Sequence, residues 1–311
     1  MISLRRTIAA VALAGLPLVS GCLAHHRGPM PGEPKGATYV ELEGARVRYV
    51  DSADTDPAAA DKPVVVLVHG FASALETWAG VMPTLTGDFR VLALDLKGFG
   101  WTDRPEGDYS PAAQARLVAA LMEKRGVAKA AIVAHSWGAS VALALALAEP
   151  ARVTRIALYD AWVYDAQLPT FFHWARAAGV GEALFSAFYK ERPGDKIARA
   201  FYDPDVVSER LVEEVEAALE RPGTEAAALA AVRGQRYEDV EGRYKTITQE
   251  TLLLWGREDQ VTFVTFGERL VNDLPHARLV TYPHCGHFPM IEARGPSTAE
   301  LVSFLRAGVA K

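Results

Sequence analysis

Three short runs, Val64–Val68, residues 91–94 and residues 130–134, carry only apolar side chains. They restrict what this chain can fold into more than any other feature. Four or five residues are too few for a buried helix, and a strand that is apolar on both faces must be covered on both. Helical stretches lie between and after these runs. Ser110-Pro111 supplies a capping hydroxyl and a proline at the first turn, which predicts a helix ending near Gly126. Residues 141–148 form an Ala/Leu helix. Further strands are expected at 153–158, 251–254 and 278–282, and residues 39–42 and 46–50 flank Glu43-Gly44-Ala45 as a hairpin. Strands alternating with helices predict the α/β class, with a mostly parallel central sheet flanked by helices.

Composition excludes several alternatives. The 311 residues carry net charge −5, with 50% hydrophobic and 23% charged side chains, as in ordinary globular proteins. No long Lys/Arg run exists to hold nucleic acid. Two cysteines, Cys22 and Cys285, cannot build a disulfide framework.

The first residues read as an address. Arg5 and Arg6 precede an apolar run over residues 7–20, the pattern of a secretory signal over residues 1–21. The ending Val19-Ser20-Gly21-Cys22 resembles the lipobox of bacterial lipoproteins. That resemblance implies cleavage before Cys22 and its acylation with fatty acid such as palmitate, and hence a membrane-anchored protein of the bacterial cell envelope. Leu23 lacks the acid that favours inner-membrane retention in some relatives, which tilts the expectation to the outer membrane. Residues 22–38, rich in Pro and Gly, are expected as a flexible tether.

Chemistry-bearing residues follow the expected strands. Ala134-His135-Ser136-Trp137-Gly138 leaves one strand and opens a helix, with small residues two positions to either side of a serine. Such a turn pushes the hydroxyl out over the sheet edge and aims the following backbone N–H at the same spot. His69-Gly70-Phe71 follows an earlier strand, and Asp95-Leu96-Lys97-Gly98-Phe99-Gly100 the next. Glu258-Asp259-Gln260 follows a later strand, and Cys285-Gly286-His287-Phe288-Pro289 the last. These motifs, in this order, resemble the α/β-hydrolase fold family, in particular capped serine hydrolases of the esterase/haloperoxidase type. The match runs from about residue 39 to the C-terminus.

The resemblance implies a core of residues 39–161 and 250–311, with a helical cap of residues 162–249 inserted after the sixth strand. It implies Ser136 as nucleophile, His287 as general base, Asp259 as the acid that orients it, and backbone N–H groups of Phe71 and Trp137 as oxyanion donors. Asp160 is the alternative acid and His284 the alternative base. The expected pocket residues are His69, His135, Trp162, Phe171, Phe172 and Phe288. Serine at 136 disfavours the dehalogenases and epoxide hydrolases of this fold, which use aspartate there, and points to acyl transfer. The expected substrate is a small-molecule carboxylic ester with an apolar or aromatic acyl group. Perhydrolysis, carbon–carbon bond hydrolysis and a non-catalytic binding role are the alternatives. No cofactor and no metal are expected, and oligomeric state is left open.

Overall fold

The computed structural model describes residues 23–309, so the signal-like segment 1–21 and Cys22 lie outside the described residues. Eight strands form one sheet: β1 (Thr38–Leu42), β2 (Ala45–Asp51), β3 (Val64–Val68), β4 (Arg90–Leu94), β5 (Ala130–His135), β6 (Val153–Tyr159), β7 (Thr251–Gly256) and β8 (Ala277–Tyr282). Their spatial order is β1-β2-β4-β3-β5-β6-β7-β8. From β4 to β8 all pairings are parallel, and β2 runs against both of its neighbours. This is the mostly parallel central sheet that the apolar runs predict.

The period of two along the central strands divides the interior in two. Val66, Val68, Leu92, Leu94, Ile132 and Ala134 enter one core, against helices Pro111–Lys124 and Gly138–Ala148. Their neighbours Val65, Leu67, Val91, Ala93, Ala131 and Val133 enter the other, against helix Arg294–Val309. Each such side chain contributes about 1.5–3 kcal/mol on full burial when it is a Val, Leu or Ile. A one-residue slip would exchange the two sets, so register is tightly specified. At the hairpin, Glu43 and Gly44 take φ of 48° and 72°, the doubly left-handed turn that suits the strand twist. The Ser110 hydroxyl accepts from the Ala113 N–H at 3.2 Å and starts the predicted helix.

Between β6 and β7 the chain leaves the sheet and builds a helical layer. Helix Thr224–Gly234 ties this layer to the core through Ala227, Ala228, Leu229, Ala231 and Val232. Helix Glu209–Leu219 buries no side chain and turns its acids to solvent. Among the described residues, no helix is long and apolar enough to cross a membrane.

One expectation needs correction. Residues 23–38 are not a free tether over their described length. His26 and Arg104 exchange two backbone hydrogen bonds of 2.8 Å, and the Gly28 N–H donates to Asp103 at 2.9 Å. Arg46 grips Glu33 through two 2.8 Å bonds, and Met30 is only 4% exposed. Composition misleads here because the docking runs through backbone groups, the Asp103 carboxylate, the Arg46–Glu33 ion pair and one buried thioether, which a count of large apolar residues does not register. The His25-His26 pair is drawn into the same junction, His25 Nδ1 lying 3.2 Å from the Arg104 carbonyl.

Docking of this strap is testable. Met30→Ala should lower the unfolding free energy by about 2 kcal/mol or more, the cost of truncating a buried methionine, as read from urea denaturation. A change below about 0.5 kcal/mol, the size expected at an exposed position, would return the segment to a free tether.

Candidate active site

The strand-to-helix turn after β5 is held by backbone contacts that only glycine permits. Ser136 takes φ of 52°, a left-handed conformation rare for a side-chain-bearing residue. A Cβ on Gly138 would come within 2.4 Å of the His69 carbonyl oxygen and 2.8 Å of that of Val68. A Cβ on Gly70 would reach Ser136 Cβ at 3.0 Å. The loops after β3 and β5 therefore pack main chain against main chain. The Ser136 N–H donates to the Tyr159 carbonyl at 2.9 Å, and the Ser136 carbonyl accepts from Trp162 at 3.1 Å. Among the described residues, the N–H groups of Phe71 and Trp137 have no hydrogen-bond acceptor. Both belong to the loops that meet at Ser136, and that of Trp137 lies at the positive end of helix Gly138–Ala148.

His287 and Asp259 come together. His287 Nδ1–H donates to Asp259 Oδ2 at 2.8 Å, which leaves Nε2 with its lone pair free to take a proton. Both residues are buried. The Asp259 carboxylate also accepts from the N–H of Val261 at 2.7 Å, from the N–H of Thr262 at 3.0 Å and from the Thr262 hydroxyl at 2.6 Å. Burial works to raise its pKa, but the His287 and Thr262 partners outweigh it and hold the carboxyl below its ordinary value. Thr262 has a placed role that the sequence reading missed; its only signal was its position three residues after Asp259.

Asp160, the alternative acid, is also buried beside this pair, and oxygens of both aspartates and a nitrogen of His287 lie within 4.8 Å of one another. Its Oδ1 accepts the Gly256 N–H at 3.0 Å, and its Oδ2 has no partner. Burial, and secondarily the charge of Asp259, push its pKa well up. The structure gives His287 to Asp259. His284, the alternative base, is on the surface against the Tyr202 hydroxyl at 3.0 Å. Cys285 is buried, and burial pushes its thiol pKa up, away from nucleophilic duty. Glu258 accepts the Cys285 N–H at 3.1 Å, and Asp95 accepts the N–H groups of Leu75 and Trp101, each at 2.8 Å.

The expected pocket residues separate into three groups. His69 lines no opening: its Nδ1–H donates to the Gly70 carbonyl at 2.7 Å, its Nε2 accepts from Leu96 at 2.9 Å, and burial lowers its pKa. His135 donates through Nε2–H to the His287 carbonyl at 2.8 Å and packs on the His287 ring at 4.7 Å. Burial, and then proximity to His287, hold it well below the usual imidazole range. Phe172 and Trp162 meet over the serine loop, Phe172 lying 6.0 Å from Phe71 and 6.2 Å from Trp162. Phe71 in turn packs with Phe99 and Trp137. Phe288 packs on His135 at 4.9 Å and on Phe201 of the cap at 5.0 Å. Phe171 corrects the expectation: it is 44% exposed, pointing out of the cap with only an edge on Phe172. The short helix Thr170–Ala175 has one inward stripe, and Phe172 and Ala175 occupy it.

Known proteins share this fold. A sequence profile of the alpha/beta hydrolase fold family matches residues 63–201. The chain is 28% identical over 283 residues to a 2-hydroxymuconate semialdehyde hydrolase of Pseudomonas sp., covering 83% of this chain and 90% of the relative. It is 29% identical over 281 residues to a 2-hydroxy-6-oxo-2,4-heptadienoate hydrolase of Pseudomonas putida, covering 82% and 94% respectively. The solved structure of a meta-cleavage product hydrolase from Pseudomonas fluorescens superposes with a TM-score of 0.71 at 26% identity, over 87% of this chain and 97% of that one. The fold is the alpha/beta hydrolase fold.

The contrast between the two aspartates predicts a pH effect on stability. The native state holds Asp160's proton more tightly than the unfolded chain does, so its contribution is complete below about pH 4, the ordinary carboxyl value, and declines as pH rises toward the native pKa. Asp160→Asn removes that decline and keeps the shape. The stability of the Asn variant relative to the parent should therefore rise with pH above about 4, measured by urea unfolding. A difference that stays constant from pH 4 to 8 would contradict the assignment.

Proposed function

We propose that this chain is a serine hydrolase that cleaves carboxylic esters of apolar or aromatic acids through an acyl-enzyme on Ser136. One observation carries the reading. A strained serine at a helix start and, among the described residues, two unpaired backbone N–H groups lie mid-sheet at the C-terminal ends of β3 and β5, and the buried His287–Asp259 pair follows the same ends of β7 and β8. In the proposed cycle Ser136 Oγ attacks the ester carbonyl carbon and gives its proton to His287 Nε2. The carbonyl oxygen becomes an oxyanion held by the N–H groups of Phe71 and Trp137. Collapse breaks the bond to the alkoxy oxygen, which leaves as the alcohol with the proton from His287. Water, activated by His287 in turn, then releases the acid and frees Ser136. Asp259 orients the imidazole and stabilises its cation.

The surroundings support a neutral, apolar acyl group. Phe71 and Trp137, on the loops that meet at Ser136, pack in one cluster with Phe99, Phe172 and Trp162. The buried cations in the adjoining loops are engaged elsewhere: Arg48 with Asp95 and Glu76, Arg104 with backbone carbonyls, Lys97 over the Tyr109 ring. A second reading, hydrolysis of a carbon–carbon bond next to a carbonyl, is favoured by the two Pseudomonas relatives, whose names describe such substrates. The aromatic wall argues for the ester, because an anionic dienoate calls for a cationic partner. With Cys22 acylated, the enzyme would work from a membrane of the cell envelope, its strap fixing the domain close to the lipid.

A ladder of nitrophenyl esters from acetate to laurate tests the reading. Turnover should appear on several rungs and fall by about 10³-fold or more in Ser136→Ala and His287→Ala. Asp259→Asn should lose a comparable factor, and Asp160→Asn should retain most activity. Phe172→Ala should move the optimum to longer acyl chains. Ester turnover absent on every rung, with hydrolysis of a vinylogous 1,5-diketone present, would favour the second reading.

A further inference from the structure

The cap and the histidine loop share a carboxylate. Glu292, at the end of the short turn Pro289–Glu292, accepts the Tyr202 N–H of the cap through Oε1 at 2.7 Å and the Gly286 N–H through Oε2 at 2.8 Å. Gly286 immediately precedes His287. The His287 N–H itself donates to the Ala200 carbonyl of the cap at 2.6 Å. The two segments approach main chain to main chain: a Cβ on Gly286 would lie 2.5 Å from the Ala200 carbonyl oxygen and 2.8 Å from the Tyr202 nitrogen. Stacking of Phe201 on Phe288 at 5.0 Å closes the same seam.

We propose that Glu292 is a positioning residue for His287, and that through it the cap segment 200–202 forms part of the mounting of the general base. The inference rests on the reading of His287 as base. Its physical content is that the base is fixed from two sides. Asp259 and the His135 ring hold the imidazole, while the backbone that carries it is pinned to the cap at Ala200 and, one residue earlier, to Tyr202 through Glu292. A carboxylate suits this task because its two oxygens serve two N–H groups at once, as one backbone carbonyl on either segment would not. The cap is therefore more than a roof that selects substrates. Lifting residues 200–202 removes an acceptor from the His287 amide and breaks the bridge to Gly286, so the base is aligned only while the cap is seated.

The test uses the full chain and a fluorophosphonate probe, diisopropyl fluorophosphate, whose reaction with an activated serine needs no knowledge of the natural substrate. Glu292→Ala should slow labelling of Ser136 by about ten- to hundredfold, the scale of a 1 Å misplacement. On a nitrophenyl ester the loss should fall on kcat rather than KM. Glu292→Gln, which keeps one carbonyl acceptor, should recover part of the rate, and it carries the comparison should the alanine variant not fold. Glu182→Ala is the control, since it breaks a cap-internal ion pair with Arg233 away from this seam. It should label at the parental rate whatever it does to Tm. The downfield proton resonance of His287 Nδ1–H should shift or broaden in Glu292→Ala and not in Glu182→Ala. Parental labelling and an unchanged resonance in a folded Glu292→Ala would overturn the proposal, as would equal slowing in Glu182→Ala at matched loss of Tm. If the parent itself does not label at Ser136, the nucleophile assignment falls, and the proton spectrum alone then decides whether Glu292 positions the imidazole.

Discussion

Everything at the sheet edge depends on one residue held in the left-handed backbone region. At Ser136 the conformation costs about 1–3 kcal/mol, and it persists because the surroundings allow no other path. The Tyr159 carbonyl takes its N–H and the Trp162 N–H takes its carbonyl, while Gly70 and Gly138 let the loops after β3 and β5 close to backbone contact. Relaxing the turn would move the Trp137 amide off the end of its helix and separate it from the Phe71 amide. The apolar strands therefore do more than drive collapse: their fixed register carries the two loops to one point. Strain at the serine and preorganisation of the amides are two results of the same packing.

Around that turn, donor supply decides which acid has its pKa held down. Asp259 and Asp160 are both buried, within reach of each other, and two adjacent carboxylates cannot ionise together without large cost. Asp259 collects two backbone N–H groups, the Thr262 hydroxyl and the His287 Nδ1–H; Asp160 collects the Gly256 N–H alone. The better-partnered carboxyl has its pKa held down, and its neighbour has its pKa pushed up by burial and by that charge. The two other buried histidines follow the same logic. His69 uses one nitrogen as donor and one as acceptor, which fits only the neutral ring, and His135 is driven neutral by burial. The interior of the site thus sets one well-partnered carboxyl against His287, which under the proposed mechanism would stabilise the imidazolium.

Much of this was legible in the sequence because it is coded locally. The unbroken runs at 64–68 and 130–134 announce buried strands, Ser110-Pro111 a helix start, Glu43-Gly44 a tight hairpin, and the small residues around Ser136 a sharp turn. The choice of Asp259 over Asp160 rested on motif position, and the structure attaches His287 to Asp259. What stayed hidden depends on partners far away in the chain. The strap at His26–Met30 docks through backbone bonds to Arg104 and a bond to the Asp103 carboxylate, and Pro/Gly-rich composition gives no sign of them. Phe171 and Phe172 are equivalent in sequence, yet helix phase sends one to solvent and the other over the serine loop. Glu292 reads as an ordinary surface acid until the fold brings Gly286 and Tyr202 to its two oxygens.

The central claim, that Ser136 becomes acylated, is open to direct measurement. The full chain would be mixed briefly with nitrophenyl acetate, quenched in acid, digested and mapped by mass spectrometry. The proposed mechanism predicts one acetyl group, on the peptide that contains Ser136, formed in a burst of nitrophenol equal to the enzyme concentration and absent in Ser136→Ala. Turnover that persists in Ser136→Ala, or an acyl group found stoichiometrically on another residue, would contradict it.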